Sequence, residues 1–350
     1  MWLLTLRDLQ YRRLRVLVVV LLGAVVMALL FLMTGLVNHL QREPYDATAA
    51  IGGSRWVLAA GVSGPFTSAG ALPTSDGDDL AGATPVVISR GTLTADEGGD
   101  DGAEVVVVGG PLDALGSTMA APALVSGRPV QGEGEVVVDR STGLSVGDRA
   151  HLGPSAVEVV GLTEHTTVLG GVPLVFTELG AAQDLTFQSR DVVSGFLLDA
   201  DPPALPEGAG LLTADEVAAD ALGPLDDAIA SIDLVRVLLW LVTAVIVGAV
   251  VFLSALERQR DFAILRAMGA PRRTLLVGVA AQAALIALAA AGVAFVLQRL
   301  MLPFFPLPVR VPSRALWQIP VGAVIAALAA GAFGLRKVAT ADPASAFGGR

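Results

Sequence analysis

The feature that most constrains this chain is a set of four long apolar runs without a charged residue. They cover residues 16–37, 237–256, 274–297 and 319–335. The first run has 22 residues, and a helix of that length rises about 33 Å, which exceeds the roughly 30 Å hydrocarbon core of a bilayer. It is also longer than the roughly 7 to 15 apolar residues of a signal peptide, so we interpret it as an uncleaved anchor. The sequence therefore predicts four transmembrane helices.

Acidic and basic residues are separated along the chain. Residues 38–232 contain 28 acidic and 7 basic side chains, whereas the rest of the chain contains 5 acidic and 16 basic ones. This pattern predicts an acidic, water-exposed domain inserted into a basic membrane protein. An acidic surface repels phosphate groups, so nucleic acid is excluded as a partner of this domain.

The basic residues also predict the orientation of the helices. The short segments assigned to the cytoplasm contain twelve basic residues, and the loop 298–318 contains three. The twelve are Arg7, Arg12, Arg13, Arg15, Arg258, Arg260, Arg266, Arg272, Arg273, Arg336, Lys337 and Arg350. Because basic residues concentrate on the cytoplasmic side of a membrane, we expect both termini inside and residues 38–232 outside.

The predicted fold class is an α-helical membrane protein with four transmembrane helices plus an inserted α+β, strand-rich extracytoplasmic domain. The predicted segments are a cytoplasmic N-terminus (1–15), a first transmembrane helix (16–37), the extracytoplasmic domain with its stalk (38–232), a second transmembrane helix (233–256), a cytoplasmic loop (257–273), a third transmembrane helix (274–297), an outer loop (298–318), a fourth transmembrane helix (319–335) and a cytoplasmic C-terminus (336–350).

Short β-branched runs in the acidic segment predict its strands, because they are bounded by Gly, Pro and Asp. These runs are residues 56–58, 86–88, 104–108, 135–138 and 157–160.

Other parts of the acidic segment predict loops and helices. Residues 74–79 and 94–102 are acidic and glycine-rich and predict solvated loops. Their spacing lacks the terminal Glu of an EF-hand, which disfavours calcium binding there. Thr213 and Glu216 form a capping-box pattern that predicts a short helix. After Pro224, apolar residues at helical spacing predict one helix over 225–256.

The residues present disfavour several chemistries. The chain has no cysteine, so it has no thiolate nucleophile and no cysteine zinc site. Its single lysine, Lys337, is not part of a Gly-Lys-Ser/Thr sequence, so the chain has no Walker A loop for ATP. Glu164 beside His165 is a weak candidate for a metal-ligand pair, and we interpret both as surface residues. The sequence around Ser145 matches the nucleophile elbow G-x-S-x-G, but the following residues favour a β-turn over a helix.

The segment between the second and third apolar runs has a distinct charge pattern. It reads Glu257-Arg-Gln-Arg-Asp-Phe-Ala-Ile-Leu-Arg-Ala-Met-Gly269-Ala-Pro-Arg-Arg273. Phe262 and Leu265 fall on one helical face after a charged start, which predicts a short amphipathic helix that ends at Gly269. From the residues alone, the simplest interpretation is an interfacial helix whose arginines contact anionic lipid headgroups.

This loop resembles the signature of the FtsX/MacB-type permeases of ABC transporters. Asp261 lies where that family more often has Glu, a change that keeps the charge. The C-terminal Arg336-Lys337 followed by Asp342-Pro343-Ala is similar to the family's usual ending. Parts of residues 126–162 also resemble the MacB-like extracytoplasmic core.

The resemblance implies partners and a site. In that family the loop docks on a cytoplasmic ABC ATPase subunit, which binds ATP and Mg, so no cofactor, catalytic residue or metal site is expected in this chain. The family also implies that two copies of this chain form a homodimer in the lipid bilayer of the bacterial plasma (inner) membrane. No nucleic acid is expected as a partner. The implied ATPase-coupling residues are Glu257, Arg258, Arg260, Asp261, Leu265, Arg266, Gly269, Ala270 and Pro271.

The expected function is that of a permease subunit that couples ATP hydrolysis on a separate ATPase to movement of the extracytoplasmic domain, for export, extraction or mechanotransmission. The four apolar runs contain no ionizable side chain, which argues against an ion-coupled transporter. The alternative is a membrane-anchored binding or sensor protein, or a regulator of a cell-wall enzyme, without transported cargo. A hydrolase that uses Ser145 is a weaker third hypothesis.

Overall fold

The protein divides into two compact units. The computed structural model describes residues 13–96, 102–111, 119, 123–257, 272–304 and 309–339. One unit comprises Met1–His39 with Ile229–Arg350, and the other comprises Leu40–Ala228. The first is helical and the second is rich in strands, and we refer to them as the helical unit and the strand-rich unit.

Six α-helices lie in the described residues: α1 (Arg13–Ile51), α2 (Leu179–Thr186), α3 (Ala214–Leu222), α4 (Asp226–Glu257), α5 (Arg272–Met301) and α6 (Ser313–Ala339). Short 3-10 helices cover Thr74–Asp79, Arg140–Thr142, Gly223–Leu225 and Leu302–Phe304. The helix predicted over 225–256 is confirmed as α4, which begins and ends one residue later than predicted. Residues 74–79, predicted as a loop, form a 3-10 helix, and residues 97–101 of the second predicted loop lie outside the described residues.

Three helical stretches in the described residues are long and apolar enough to cross a membrane by length and composition: Leu17–Ile51, Ala214–Ile246 and Ala280–Phe304. The fourth predicted span falls on α6, which is helical but is not among these three. The structure therefore supports membrane-crossing helices, and the count of four stays a prediction.

Helix α1 continues 14 residues beyond the predicted end of the first span at residue 37. Pro44 lies inside the helix and has no N–H to donate. The Thr48 hydroxyl donates to the Pro44 carbonyl at 2.8 Å, in the same turn. Ala47 and Ile51 are fully buried, so the extension is stabilised by packing within the strand-rich unit. Gly52, with φ of 96°, ends the helix.

Thirteen strands lie in the described residues. They are β1 (Arg55–Ala59), β2 (Leu72–Pro73), β3 (Thr84–Ala95), β4 (Ala103–Gly110), β5 (Leu124–Gly127), β6 (Glu135–Asp139), β7 (Arg149–Leu152), β8 (Ser155–Thr163), β9 (Thr167–Val168), β10 (Val172–Glu178), β11 (Val192–Val193), β12 (Gly195–Leu198) and β13 (Ala209–Thr213). The five strands predicted from sequence are confirmed as β1, β3, β4, β6 and β8.

Eleven strands form one sheet in the order β13-β1-β12-β3-β4-β10-β6-β8-β5, with β7 and β9 attached. Strand β7 pairs with both β3 and β8, so six strands close into a ring: β3, β4, β10, β6, β8 and β7. The first residues of β3 pair with β12 and its last residues pair with β7. The 12 residues of β3 therefore join an open sheet to a small barrel, and β10 lies between β4 and β6 in the ring.

Both faces of the central strands are buried. Along β4, Val106 and Val108 belong to one apolar cluster and Val105 and Val107 belong to another. Side chains alternate between the two faces of a strand, so each face of the sheet supports its own core. Continuous valine runs follow from this arrangement, since none of the four valines 105–108 faces water.

Candidate functional site

The predicted ATPase-coupling loop lies between α4 and α5. Glu257 is the last residue of α4, and Arg272 and Arg273 begin α5. The other predicted coupling residues lie outside the described residues: Arg258, Arg260, Asp261, Leu265, Arg266, Gly269, Ala270 and Pro271. The structure thus fixes the two helices that flank the loop, while the roles of its residues stay predictions.

Small side chains hold the helical unit together. Five buried alanines of α5 share one cluster with apolar residues of α1 and α6: Ala283, Ala287, Ala290, Ala291 and Ala294. A Cβ added to Gly23 of α1 would lie 3.4 Å from the Ala290 side chain. Such close approach is typical of helices that pack in lipid, where van der Waals contact replaces the hydrophobic effect.

Helix α4 is the least enclosed of the long apolar helices. The stretch Ala214–Ile246, which contains residues 226–246 of α4, has an apolar window that is 6% buried, compared with 44% for Leu17–Ile51 and 39% for Ala280–Phe304. Its exposed apolar side chains recur at helical spacing: Leu234, Leu238, Leu241 and Val245. Trp240 packs on the helical unit, where a Cβ on Gly322 would overlap its ring. One face of α4 therefore packs against the unit and the other lies open.

Polar side chains of the helical unit hydrogen-bond to nearby backbone carbonyls. Thr34 donates to the Leu30 carbonyl at 2.7 Å, and Thr243 donates to the Leu239 carbonyl at 2.8 Å. Asn38 donates to the carbonyl of Arg310 at 2.9 Å. These hydrogen bonds stabilise the helices and their ends. Because the three side chains bond to backbone carbonyls, we interpret them as structural and not as the lining of a polar path for a solute.

The last three turns of α1 lie within the strand-rich unit and carry a buried carboxylate. Glu43 is 1% exposed. Its Oε2 accepts the N–H of Gly170 at 2.9 Å, and its Oε1 accepts the N–H of Gly171 at 2.7 Å. Hydrogen bonds to a charged group contribute about 1.5–3 kcal/mol each, and a buried carboxylate that loses them carries a larger desolvation penalty. Glu43 is thus fastened to the chain between β9 and β10.

The segment that joins β8 to β10 and contains β9, residues 164–171, we name the braced loop. His165 and Leu169 have positive φ of 65° and 58°, and Gly170 and Gly171 have φ of 85° and 110°. A left-handed conformation costs a residue other than glycine roughly 1–2 kcal/mol, so contacts elsewhere must hold the loop in this shape. Such strain is often found where a segment has a functional role.

A second carboxylate holds the braced loop from the sheet. Asp139, at the end of β6, is 3% exposed. Its Oδ2 accepts from the Thr166 N–H at 2.8 Å and from the Thr166 hydroxyl at 2.9 Å, while its Oδ1 accepts from the Ser141 N–H at 2.9 Å. The Thr163 hydroxyl also bonds to the Thr166 hydroxyl. The loop is therefore held by Glu43 on one side and Asp139 on the other.

The chain that leads into α4 also packs in the strand-rich unit. The predicted capping box is confirmed: the Glu216 N–H donates to the Thr213 hydroxyl at 3.2 Å, and the Glu216 carboxylate accepts from the Thr213 N–H at 2.7 Å. The bonds from Thr213 lower the pKa of Glu216. Val217 and Ala221 of α3 are fully buried. A Cβ on Gly170 would lie 3.3 Å from Leu225, so the braced loop also lies against the residues that precede α4.

Residues 40–51, which end α1, and residues 214–228, which comprise α3 and the chain that leads into α4, lie in the strand-rich unit, and we name them the helix roots. Neither Glu43 nor Asp139 was predicted as a functional residue. The one local signal is an acidic residue directly before Pro44, in the polar stretch that follows the first apolar run. Their partners lie 127 and 27 residues away along the chain, so sequence spacing does not reveal them.

The structure places the alternative candidates on the surface. Ser145 lies in a turn, as predicted: the Asp148 N–H donates to the Ser145 carbonyl at 3.1 Å, and the Asp148 carboxylate accepts from the Ser145 N–H at 2.8 Å. Strand β7 follows, whereas a nucleophile elbow requires a helix. His165 and Glu164 lie 4.0 Å apart and half exposed. The described residues contain no group of three or more potential metal ligands from His, Cys, Asp and Glu.

A surface ion pair makes the strand-rich unit sensitive to acid. The Arg128 guanidinium donates to both oxygens of Glu135, at 2.8 and 2.5 Å, and these bonds are the main cause that lowers the Glu135 pKa from 4.5 to about 2. A carboxyl whose pKa is lower in the folded state contributes stability above pH 4.5, and that stability is lost as the pH falls toward 2.

We expect Arg128→Ala to lower the urea midpoint at pH 6 and the difference from wild type to shrink by pH 2.5.

The matched control for this prediction is Arg140→Ala, because Arg140 lies 4.0 Å from its carboxylate partner Glu164. It should leave both midpoints close to wild type. A difference for Arg128→Ala that stays constant from pH 6 to pH 2.5 would show that the ionisation of Glu135 does not contribute to stability.

Comparison with known proteins relates the chain to one family. A family model described as the C-terminal domain of FtsX-like permeases matches residues 234–343. Two ABC transporter permeases of Mycobacterium tuberculosis, both described as uncharacterized, are similar to this chain: one is 35% identical over 347 residues and the other is 36% identical over 352 residues. Each alignment covers 98% of this chain and 98% of the relative. An ABC transporter permease of Mycobacterium bovis is likewise 35% identical over 347 residues.

Two solved extracytoplasmic domains also align with part of the chain. The periplasmic region of MacB from Actinobacillus actinomycetemcomitans is 12% identical with a TM-score of 0.33, and the alignment covers 50% of this chain and 95% of that one. The extracellular domain of the transporter YknZ from Gram-positive bacteria is 9% identical with a TM-score of 0.32, and the alignment covers 45% and 98%. The sequence relatives decide the assignment: with at least 35% identity along 98% of its length, this chain belongs to the FtsX-like family of ABC transporter permeases.

Proposed function

We propose that this chain is a permease subunit that couples ATP hydrolysis on a separate cytoplasmic ABC ATPase to movement of its strand-rich unit. The observation that carries the proposal is the continuity of α1 and α4. Helix α1 is a single helix that contains a long apolar segment and ends in residues packed within the strand-rich unit. Helix α4 begins in the last three residues of that unit, directly after α3 and the 3-10 helix Gly223–Leu225. A shift of either helix would therefore act directly on that unit, in export, in extraction of a membrane molecule or in transmission of force.

The loop between α4 and α5 is the proposed docking site for the ATPase. Its proposed contact residues are Glu257, Arg258, Arg260, Asp261, Leu265, Arg266, Gly269, Ala270 and Pro271. Charged residues at both ends of the loop would determine how the loop is oriented on the ATPase surface, since complementary charges orient an interface. Glu257 ends α4 itself, so movement of the docked loop would pass into the same helix whose other end leads to the braced loop.

We propose a four-span topology in the bacterial plasma membrane, with both termini cytoplasmic and residues 38–232 outside. The 27 residues of α6 correspond to about 40 Å of helix, which is long enough for the fourth span. The twelve basic residues of the cytoplasmic segments, against three in the outer loop, support this orientation.

The nucleotide and its Mg are proposed to bind to the ATPase partner, because this chain has no Walker A sequence. Two ATPases acting together would require two copies of this chain, so we propose a homodimer. The open apolar face of α4, with Leu234, Leu238, Leu241 and Val245, is compatible with contact to lipid or to the second copy.

The test of the proposed function is coexpression with a candidate ABC ATPase from the same genome, followed by purification through a tag on the permease. We expect the ATPase to copurify in equal amount and to hydrolyse ATP several-fold faster in lipid nanodiscs than it does alone. Recovery of folded permease without any ATPase would instead favour a membrane-anchored binding or sensor protein.

A further inference from the structure

Glu43 occupies a position that a membrane helix rarely provides. It lies on α1, it is 1% exposed, and its two carboxylate oxygens accept two successive backbone N–H groups, those of Gly170 and Gly171. Successive backbone N–H groups form an anion-binding concavity. Here the anion is a side chain of the same protein, so the contact joins a helix to a loop 127 residues away.

The braced loop leads directly into the middle of the sheet. Val168 of β9 pairs with Val172 of β10, and it is fully buried in the core with Ala47 and Ile51 of α1. Strand β10 then pairs with β4 on one side and with β6 on the other. A displacement of the loop would therefore also displace the start of β10. Because β10 is hydrogen-bonded to β4 and β6, these two strands would move with it.

The glycines explain how the contact is made. Gly170 and Gly171 have φ of 85° and 110°, where a residue with a Cβ is strained, and this backbone presents both N–H groups to one carboxylate. Asp139 holds the other end of the loop through Thr166. Because the loop is fastened at both ends, it cannot take up a movement of α1 by relaxing on its own.

We propose that Glu43 is a positioning residue that ties α1 to the braced loop, so that a shift of α1 moves β9 and β10. The inference rests on the proposed function, in which ATP binding on the partner moves the membrane helices. It adds a specific route: Glu43, then Gly170 and Gly171, then β10. Leu225, which lies against the same loop, gives α4 a separate apolar contact with it.

Hydrogen exchange of the full permease–ATPase complex in nanodiscs tests this route. Exchange is compared by mass spectrometry between the nucleotide-free complex and the complex trapped with ATP and vanadate. Peptides that cover 167–178 report on β9 and β10, and peptides that cover 214–228 report on the root of α4. In the wild type we expect trapping to change exchange in both regions.

Glu43→Gln has nearly the shape of the native residue, but its amide keeps one acceptor oxygen and sets an N–H₂ group against the other backbone N–H. Loss of one such bond should speed exchange in the braced loop about tenfold without nucleotide. We further expect the response of 167–178 to trapping to disappear, while the response of 214–228 remains. The stimulated ATPase rate should remain within about twofold of wild type, because the proposed topology puts Glu43 and the docking loop on opposite sides of the membrane.

The matched control is Glu178→Gln. Glu178 also accepts a backbone N–H, that of Ala181 at 3.0 Å, but it caps α2 and has no bond to α1 among its described contacts. We expect it to leave the response of 167–178 unchanged. If Glu43→Gln does not fold, Glu43→Asp keeps the charge, shortens the reach and should weaken the same response.

Each outcome has a distinct meaning. A response of 167–178 that stays at wild-type size in Glu43→Gln would overturn the role of Glu43 while leaving the proposed function intact. Loss of the responses of both regions in folded Glu43→Gln would also overturn it, because Glu43 would then not act on a route separate from that of 214–228. No response in either region of the wild type would contradict the proposed function itself.

Discussion

Glu257→Lys combined with Arg266→Glu is expected to abolish stimulation of the ATPase by this permease without loss of the protein from the membrane. Both residues belong to the proposed docking loop, and reversal of both charges places like charges against a partner surface that complements the native ones. Like-charge contacts at an interface cost several kcal/mol, and every 1.4 kcal/mol is tenfold in affinity. We therefore expect a loss of copurified ATPase of at least about tenfold.

The measurement is the ATPase rate of the reconstituted complex together with the ratio of the two subunits after purification. The control reverses charges elsewhere, with Arg90→Glu and Glu104→Lys, two exposed residues 3.4 Å apart in the strand-rich unit. That variant should be as active as wild type. Wild-type stimulation by the loop double variant would refute the assignment of 257–273 as the docking loop.

The strands were predictable because the sequence pattern and the packing agree. Residues 105–108 and 136–138 are continuous in valine, and the structure buries both faces of these runs. Strands such as β12 and β13 lack this signal. The sequence of β12, Gly-Phe-Leu-Leu, is apolar without β-branching, and its pairing with β1 and β3 depends on residues more than 100 positions away.

The continuation of α1 was not predictable from local preferences. The apolar run ends at Val37, and Asn38, His39 and Pro44 follow, which all favour the end of a helix. Tertiary packing overrides them, because Ala47 and Ile51 are buried in the core of the strand-rich unit. The contacts of Glu43 share this origin: its partners are backbone N–H groups, which have no signature in a sequence.

The candidate site was therefore predicted only in part. The loop 257–273 was identified from a motif whose residue types resemble those of a family, and its ends agree with α4 and α5. The opposite ends of the membrane helices, where Glu43 and Leu225 reach one loop, emerged only from the structure. The proposed function needs both places, one for the ATPase and one for the strand-rich unit.

The core that joins the helix roots to the sheet predicts the second large effect. Trp56 of β1 is fully buried and belongs to the same cluster as Ala47 and Ile51 of α1 and Val217 and Ala221 of α3. Trp56→Ala would leave a cavity at this point, and truncation of a buried aromatic residue costs about 3–5 kcal/mol. With typical domain stabilities of roughly 5–15 kcal/mol, such a loss would bring the strand-rich unit close to unfolding.

Trp56→Phe separates the effect of volume from that of the indole N–H. The indole Nε1 is buried without a hydrogen-bond partner among the described residues, and a buried unsatisfied donor costs about 1–3 kcal/mol. Phenylalanine removes that donor and leaves a smaller gap, so the two effects oppose each other. We expect a net change within about 1–2 kcal/mol for Trp56→Phe.

Pulse proteolysis of the full chain in detergent across a urea gradient measures both variants, with cleavage within 40–228 as the signal. For an m-value of about 2 kcal/mol/M, the midpoint of Trp56→Ala should fall by about 2 M and that of Trp56→Phe by less than about 1 M. Equal shifts of the urea midpoint in the two variants would show that removal of the unsatisfied indole N–H does not offset the smaller cavity in Trp56→Phe. A stable Trp56→Ala variant would show that this core does not hold the helix roots to the sheet.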